Sequence, residues 1–113
     1  VVTPGGEGTR HLVDAAVMDA IGPRGILINI GRGPTVDDDA LADALSSGKL
    51  GATALDVFAD EPNVPEELLK MTDKVILQPH QASATHDTRR AMSLLCMENV
   101  RAFLDGSPPS NPV

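Results

Sequence analysis

The stretch Ile26-Leu27-Ile28-Asn29-Ile30-Gly31-Arg32-Gly33-Pro34 decides how this chain folds. Residues 26–30 are apolar apart from Asn29, and the glycines and proline that follow end a regular strand. A run that is apolar on both faces predicts a buried central strand, because neither face suits water. The turn that carries Arg32 then lies at the carboxyl end of that strand.

Strand and helix signals alternate on both sides of this run. In chain order the predicted elements are a helix over 14–21, the strand over 26–30, a helix opened by 37–39 and ended at 48, strands over 51–57 and 75–77 with a helical turn over 65–69 between them, and a long helix over 83–104. Short apolar strands that alternate with helices predict an α/β fold with a doubly wound parallel sheet. On the long helix an apolar stripe at helical spacing is predicted to be core; it comprises Met92, Leu95, Cys96, Val100 and Phe103.

Composition excludes several classes of function. The 113 residues hold 9 Lys and Arg against 16 Asp and Glu, a net charge of −7, which disfavours nucleic acid as a partner. The two phenylalanines are the only aromatic residues, so there is no stacking platform for bases. No apolar run is long enough to predict a membrane span. The single cysteine argues against a disulfide framework and favours a reducing compartment, by default the cytoplasm.

The first residues are typical of the end of an element. Val1-Val2 followed by Thr3-Pro4 has the pattern of the last residues of a strand. One hundred and thirteen residues suffice for one small domain but not for two. We therefore expect the chain to be the carboxyl-terminal part of a longer protein.

Three charged or titratable side chains follow three predicted strands. Arg32, Glu61 and His80 each lie in the loop after a strand, and ligands of open parallel sheets bind at that edge. A carboxylate beside an imidazole orients the ring and favours its protonated form, which can donate a proton. A guanidinium can bind a substrate carboxylate through two parallel hydrogen bonds. Together the three groups suit the proton-coupled reduction of a 2-oxo acid.

Three motifs resemble those of the D-isomer-specific 2-hydroxyacid dehydrogenases. They are Ile28-Asn29-Ile30-Gly31-Arg32-Gly33-Pro34-Thr35-Val36-Asp37, Gly51-Ala52-Thr53-Ala54-Leu55-Asp56-Val57-Phe58-Ala59-Asp60-Glu61-Pro62 and Pro79-His80-Gln81-Ala82-Ser83-Ala84-Thr85. Their order and spacing agree with the family over nearly the whole chain. Within the family the chain is most similar to glyoxylate and hydroxypyruvate reductases.

The resemblance implies a role for each of the three side chains. Arg32 would hold the substrate carboxylate, Glu61 would pair with His80, and His80 would be the acid/base. The cofactor would be NAD or NADP, with no metal. Residues expected along the cofactor are Pro4, Ile30, Gly31, Arg32, Asp56, His80 and Ala82.

The resemblance also implies a domain organisation and partners. Residues 1–82 would be the carboxyl-terminal half of a Rossmann-like NAD(P)-binding domain, and 83–113 a connecting helix and tail that return to the substrate domain. The complete protein would be a homodimer acting on a small 2-oxo or 2-hydroxy acid, whereas the 113 residues alone would be inactive. Two positions depart from the family: Ala82 replaces a usual glycine and Gly31 a usual alanine or serine. A complete Gly-x-Gly-x-x-Gly turn is lacking as well.

Two other functions fit parts of the pattern. A dinucleotide-sensing regulator is the first, because C-terminal-binding-protein corepressors resemble the same family and keep the same three residue types. A phosphoacceptor receiver domain is the second, but such a domain needs a lysine after its last strand. Here Lys74 precedes that strand, and Pro79-His80 follows it.

Overall fold

The computed structural model describes residues 1–112 and divides into two compact units. The units are Val1–Ala82 and Ser83–Val113, and Val113 lies outside the described residues. The predicted domain boundary also lies between 82 and 83, and the division into domains stays a prediction. The assignment of the second unit to a substrate domain stays a prediction.

The first unit is built around a three-stranded parallel sheet. Its elements are a 3-10 turn Glu7–Thr9, α1 Ala15–Ile21, β1 Ile26–Asn29, a 3-10 turn Gly33–Thr35, α2 Asp38–Ser46, β2 Ala52–Leu55, α3 Glu66–Lys70 and β3 Val75–Leu77. The strand order is β1-β2-β3, with Ile28 opposite Ala54 and Ala54 opposite Ile76. The predicted parallel α/β fold is confirmed. β2 ends at Leu55, two residues earlier than predicted, so that Asp56 lies just past its carboxyl end.

Aspartates begin both of the longer helices in this unit, as predicted. The Asp14 carboxylate accepts a hydrogen bond from the Val17 N–H at 3.0 Å, and the Asp37 carboxylate accepts one from the Ala40 N–H at 3.1 Å. Each bond satisfies an amide that has no partner inside its helix. Gly48, with φ 74°, follows the end of α2, where a left-handed residue suits glycine.

The core lies between one face of the sheet and the helices. Leu27 of β1 and Leu55 of β2 point into it, and the helices and their connections supply residues that are almost completely buried, namely Met18, Leu41, Leu45, Leu50 and Leu68. Alternate residues of each strand reach this face because side chains alternate across a strand. The core therefore fixes the positions of the strand ends from which the candidate site loops leave.

The opposite face of the sheet is exposed. Ile26, Ile28 and Ile30 keep between 51% and 64% of their surface, and Ile76 on β3 keeps 64%. The prediction that β1 is buried on both faces is therefore wrong. The apolar run predicted which faces avoid water, and within the first unit the face carrying Leu27 packs against the helices.

The second unit is a helix and a short tail. α4 spans His86–Leu104 and begins three residues later than predicted, with the Thr85 hydroxyl accepting from the Thr88 N–H at 3.2 Å. The predicted core stripe is wrong, because its members are exposed: Met92, Leu95, Cys96, Val100 and Phe103. Over the described residues, no helix combines the length and the apolarity that crossing a membrane requires.

Candidate active site

The Arg32 turn leaves the end of β1 and is shaped by a buried amide. Asn29, only 1% exposed, accepts a hydrogen bond from the Gly31 N–H at 3.0 Å and donates one to the Arg32 carbonyl at 3.1 Å. These two bonds close the turn around a single side chain. The Arg32 side chain is exposed, and its Nη1 donates to the Gly31 carbonyl at 2.7 Å. The guanidinium is thus presented at the carboxyl edge of the sheet.

Two glycines let other backbone segments approach this turn. A Cβ on Gly33 would lie 1.9 Å from the Phe58 carbonyl carbon, so the turn touches the backbone of the loop after β2. A Cβ on Gly31 would lie 2.8 Å from the Thr3 carbonyl oxygen. A methyl group at position 31 would therefore require the first residues of this chain to shift.

Glu61 and His80 form a direct pair. The Glu61 Oε2 and the His80 Nδ1 are 2.8 Å apart, and the Glu61 Oε1 accepts a hydrogen bond from the Phe58 N–H at 3.0 Å. The Phe58 contact turns the carboxylate toward β3, where His80 follows Pro79. The predicted convergence of these two residues, 19 positions apart, is observed in the structure.

The contact between Glu61 and His80 lowers the pKa of the Glu61 carboxyl. The hydrogen bond to His80 is the main reason that the pKa of the Glu61 carboxyl is lowered, and the bond from the Phe58 N–H adds to it. Bonds of this kind favour the charged form of an acid. Glu61 is therefore a carboxylate across the neutral range, and it holds the imidazole by the Nδ1 nitrogen.

Asp56 lies beneath the loop that follows His80. The residue is 7% exposed, and its two carboxylate oxygens accept from the Gln81 N–H at 2.9 Å and the Ala82 N–H at 3.0 Å. A buried carboxylate without such partners would be costly. His80 itself has φ 49°, a left-handed conformation that is uncommon outside glycine.

A small cavity of about 160 Å³ adjoins the pair. Glu61 and His80 form its polar wall, and the remaining lining residues are apolar: Phe58, Pro62, Val64 and Pro79. The imidazole is about half exposed, so one side of the ring faces solvent. A larger depression of about 600 Å³ is lined by residues of α1 and α2, and it includes neither Glu61 nor His80.

The other predicted cofactor residues lie at the same edge in two groups. Pro4, Ile30 and Gly31 are near the start of the chain and the end of β1, where the Ile30 N–H donates to the Val1 carbonyl at 3.1 Å. Asp56, His80 and Ala82 form the second group, in which the Asp56 carboxylate accepts from the Ala82 N–H in the loop that follows His80. The Asp56 N–H donates to the Asn29 carbonyl at 3.0 Å and so links the two groups.

Arg32 forms no ion pair with Glu61 of the Glu61–His80 pair. Within residues 1–112 its guanidinium forms no ion pair with a carboxylate. In the same range, no cluster of three or more histidine, cysteine, aspartate or glutamate side chains is arranged to hold a metal ion. The free cation and the paired imidazole are therefore separate groups on neighbouring loops.

Sequence reasoning missed the function of Asn29 in this site. It treated Asn29 only as part of a strand and of a motif, whereas the side chain builds the turn that presents Arg32. A signal was available. An asparagine that ends a buried strand directly before a glycine turn often bonds to the backbone two residues further on.

A parallel α/β sheet whose carboxyl edge carries an arginine and an acid–imidazole pair is typical of dinucleotide-dependent enzymes. Comparison with known families gives a particular assignment. The family described as D-isomer specific 2-hydroxyacid dehydrogenase, NAD binding domain, matches residues 1–82. The chain belongs to this family.

Known relatives agree with that assignment. The chain is 51% identical over 113 residues to glyoxylate/hydroxypyruvate reductase A HPR2 of Arabidopsis thaliana, covering 100% of this chain and 36% of the relative. It is 44% identical over 105 residues to a glyoxylate reductase of Aeropyrum pernix, covering 93% and 31%. The chain thus spans about a third of the length of these relatives.

Solved structures share the fold as well. An NADPH-dependent glyoxylate/hydroxypyruvate reductase of Sinorhizobium meliloti, in complex with NADP and malonate, superimposes with a TM-score of 0.95 at 48% identity. The match covers 100% of this chain and 35% of that one. The holo form of D-mandelate dehydrogenase from Rhodotorula graminis gives 0.92 at 38% identity, covering 100% and 33%. The receiver-domain alternative is overturned by this family membership.

Proposed function

We propose that this chain is the catalytic part of an NAD(P)-dependent reductase that converts a small 2-oxo acid, such as glyoxylate or hydroxypyruvate, into the D-2-hydroxy acid. The observation that carries the proposal is the 2.8 Å contact between the Glu61 Oε2 and the His80 Nδ1 at the carboxyl edge of the sheet. The names of the relatives support the substrate class. They favour an enzyme over a non-catalytic regulator.

His80 acts as the proton donor in this proposal. Glu61 occupies the Nδ1 side of the ring, and over the described range the Nε2 nitrogen forms no hydrogen bond. The protonated ring can therefore deliver a proton from Nε2 to the oxygen that develops at C2 of the substrate. The carboxylate bonds to Nδ1 and so orients the ring.

Arg32 binds the carboxylate of the substrate in this proposal. Its guanidinium lies exposed on a turn that a buried amide holds, and it has no competing carboxylate partner among residues 1–112. Two parallel N–H donors match the two oxygens of a 2-oxo acid carboxylate. Arg32 would thereby fix the substrate so that its carbonyl faces His80.

The residues at this edge fit the nicotinamide half of a dinucleotide. Exposed Ile30 offers an apolar surface for a flat ring, and the Asp56 carboxylate has further lone pairs that can accept from a carboxamide. Pro4, Gly31 and Ala82 would line the remaining contact. A bound NADH or NADPH would supply the hydride that reaches C2.

The remaining features of the proposal concern the whole protein. We assign residues 1–82 to the NAD(P)-binding domain and 83–113 to the helix and tail that return to the substrate domain. We propose a homodimer in the cytoplasm, in keeping with the single cysteine of the chain. Velocity sedimentation of the complete protein would test the dimer, since a monomer would contradict it.

The complete protein should be assayed with glyoxylate and hydroxypyruvate against both NADH and NADPH. We expect oxidation of the reduced cofactor that depends on the 2-oxo acid. His80→Ala should abolish most of it, while the matched surface variant His86→Ala should be as active as the wild type. Tight cofactor binding by a wild-type protein without turnover would instead favour a dinucleotide-sensing regulator.

A further inference from the structure

We propose that Asp56 is a positioning residue for His80, acting through the backbone of the loop that follows it. This inference rests on the proposed function, because it assigns Asp56 a role toward the proposed proton donor. It differs from a cofactor contact, since the bonds that carry it lie within the protein. It requires Asp56 to act before any dinucleotide is bound.

The hydrogen bonds of the Asp56 carboxylate provide the first argument. Both oxygens accept from consecutive backbone amides, Gln81 at 2.9 Å and Ala82 at 3.0 Å. One carboxylate thereby fixes two successive peptide units directly after His80. Bonds from amides to a charged acceptor are stronger than bonds between neutral groups.

The backbone of His80 provides the second argument. Its φ of 49° is sparsely populated for a residue with a side chain, so the surroundings must hold it there. On one side the His80 N–H donates to the Gln78 carbonyl at 3.1 Å. On the other side, the Asp56 carboxylate holds Gln81 and Ala82. The direction in which the imidazole meets Glu61 depends on this conformation.

The position of Asp56 provides the third argument. It is 7% exposed and follows directly on β2, and its own N–H donates to the Asn29 carbonyl at 3.0 Å. The sheet therefore fixes the carboxylate, and the carboxylate fixes the loop. A rigid support of this kind keeps a reacting group within the narrow range of geometries that catalysis needs.

Asp56→Asn in the complete enzyme tests the proposal. An amide side chain offers a single acceptor oxygen, so either Gln81 or Ala82 loses its partner. We expect kcat to fall by about 10- to 100-fold, while KM for the 2-oxo acid changes by less than about threefold. Asp73→Asn removes an equally charged but exposed carboxylate, and we expect it to behave as the wild type. Asp56→Glu keeps both oxygens and should recover part of the loss.

Hydrogen exchange separates this role from a cofactor contact. In the wild-type enzyme without dinucleotide, the Gln81 and Ala82 amides should already be protected, and in Asp56→Asn they should exchange at least about tenfold faster. Unprotected amides in the cofactor-free wild type would overturn the proposal, even if Asp56→Asn fails to fold. Protected amides in an enzyme that reduces no 2-oxo acid would overturn the proposed function but leave the contact established.

Discussion

The turn that carries Arg32 and the loop that carries His80 leave the same edge of the sheet, yet different chemistry holds them. A neutral amide, Asn29, bonds to the backbone around Arg32. A carboxylate, Asp56, bonds to the backbone after His80, and a second carboxylate, Glu61, bonds to its ring. Asn29 and Asp56 are both buried; Asn29 is the last residue of β1, and Asp56 directly follows β2.

The difference follows from the charge that each loop must present. A carboxylate at position 29 would add a negative charge to the turn that presents Arg32 and would weaken the attraction of that turn for an anionic substrate. A carboxylate beside an imidazole instead bonds to one ring nitrogen and fixes the direction of the other. The neutral Asn29 thus leaves the Arg32 guanidinium free to bind the substrate carboxylate, whereas the anionic Glu61 orients the His80 ring.

The strongest test of this comparison removes the imidazole. His80→Ala should lower kcat by roughly 10²- to 10⁴-fold, because general acid catalysis typically contributes that much. Binding of malonate as a competitive inhibitor should change little, since Arg32 is untouched. Steady-state kinetics and inhibitor titration of the complete enzyme would measure both. Unchanged kcat would remove His80 as the acid.

The Asn29 amide that supports the Arg32 turn can be removed, or it can be replaced by a charged carboxylate. Asn29→Ala leaves the Gly31 N–H without its buried acceptor and should cost about 1–3 kcal/mol of stability, visible as a lower melting temperature. The matched variant Asn29→Asp keeps that acceptor but introduces a negative charge. It should raise KM for the 2-oxo acid clearly, while the melting temperature should change little. An unaltered KM would contradict the argument from charge.

The guanidinium itself can be replaced by a point charge. Arg32→Lys keeps the positive charge but loses the two parallel donors, so KM should rise by about tenfold with a smaller change in kcat. Initial rates over a range of glyoxylate concentrations would measure it. If kcat fell and KM stayed constant, Arg32 would act on the reacting carbonyl rather than on the carboxylate.

The smallest expected effects concern Glu61 and pH. Glu61→Gln removes the negative charge behind the ring and weakens the bond that orients it, so we expect a modest fall in kcat. Because the pKa of the Glu61 carboxyl is lowered in the fold, its stabilising effect is present above the ordinary value of 4.5. It is lost as the pH falls through the lowered value. The wild type should thus melt above Glu61→Gln at pH 7, and the difference should vanish in strong acid.

The sequence predicted the alternation of strands and helices, the parallel sheet and the edge where Arg32, Glu61 and His80 lie. It could do so because apolar runs, caps and glycine turns are local signals. It failed for the outer faces of β1 and α4, since an apolar pattern says which face avoids water but not what covers it. Ile28 and Phe103 are the clear examples. The support from Asn29 and Asp56 escaped because it depends on loop backbone conformation.

The contact at Gly33 has a consequence for anyone who recombines this chain with its relatives. Gly33 lies directly against the Phe58 backbone, so the loops after β1 and β2 are closely packed against each other. A chimaera whose crossover falls between residues 33 and 58 would join halves that were shaped by different parents. The first residues belong to the same edge, because the Ile30 N–H donates to the Val1 carbonyl. Only a crossover after 82 would therefore transfer the whole edge. Exchange of substrate preference by grafting should therefore treat 1–82 as the smallest transferable block.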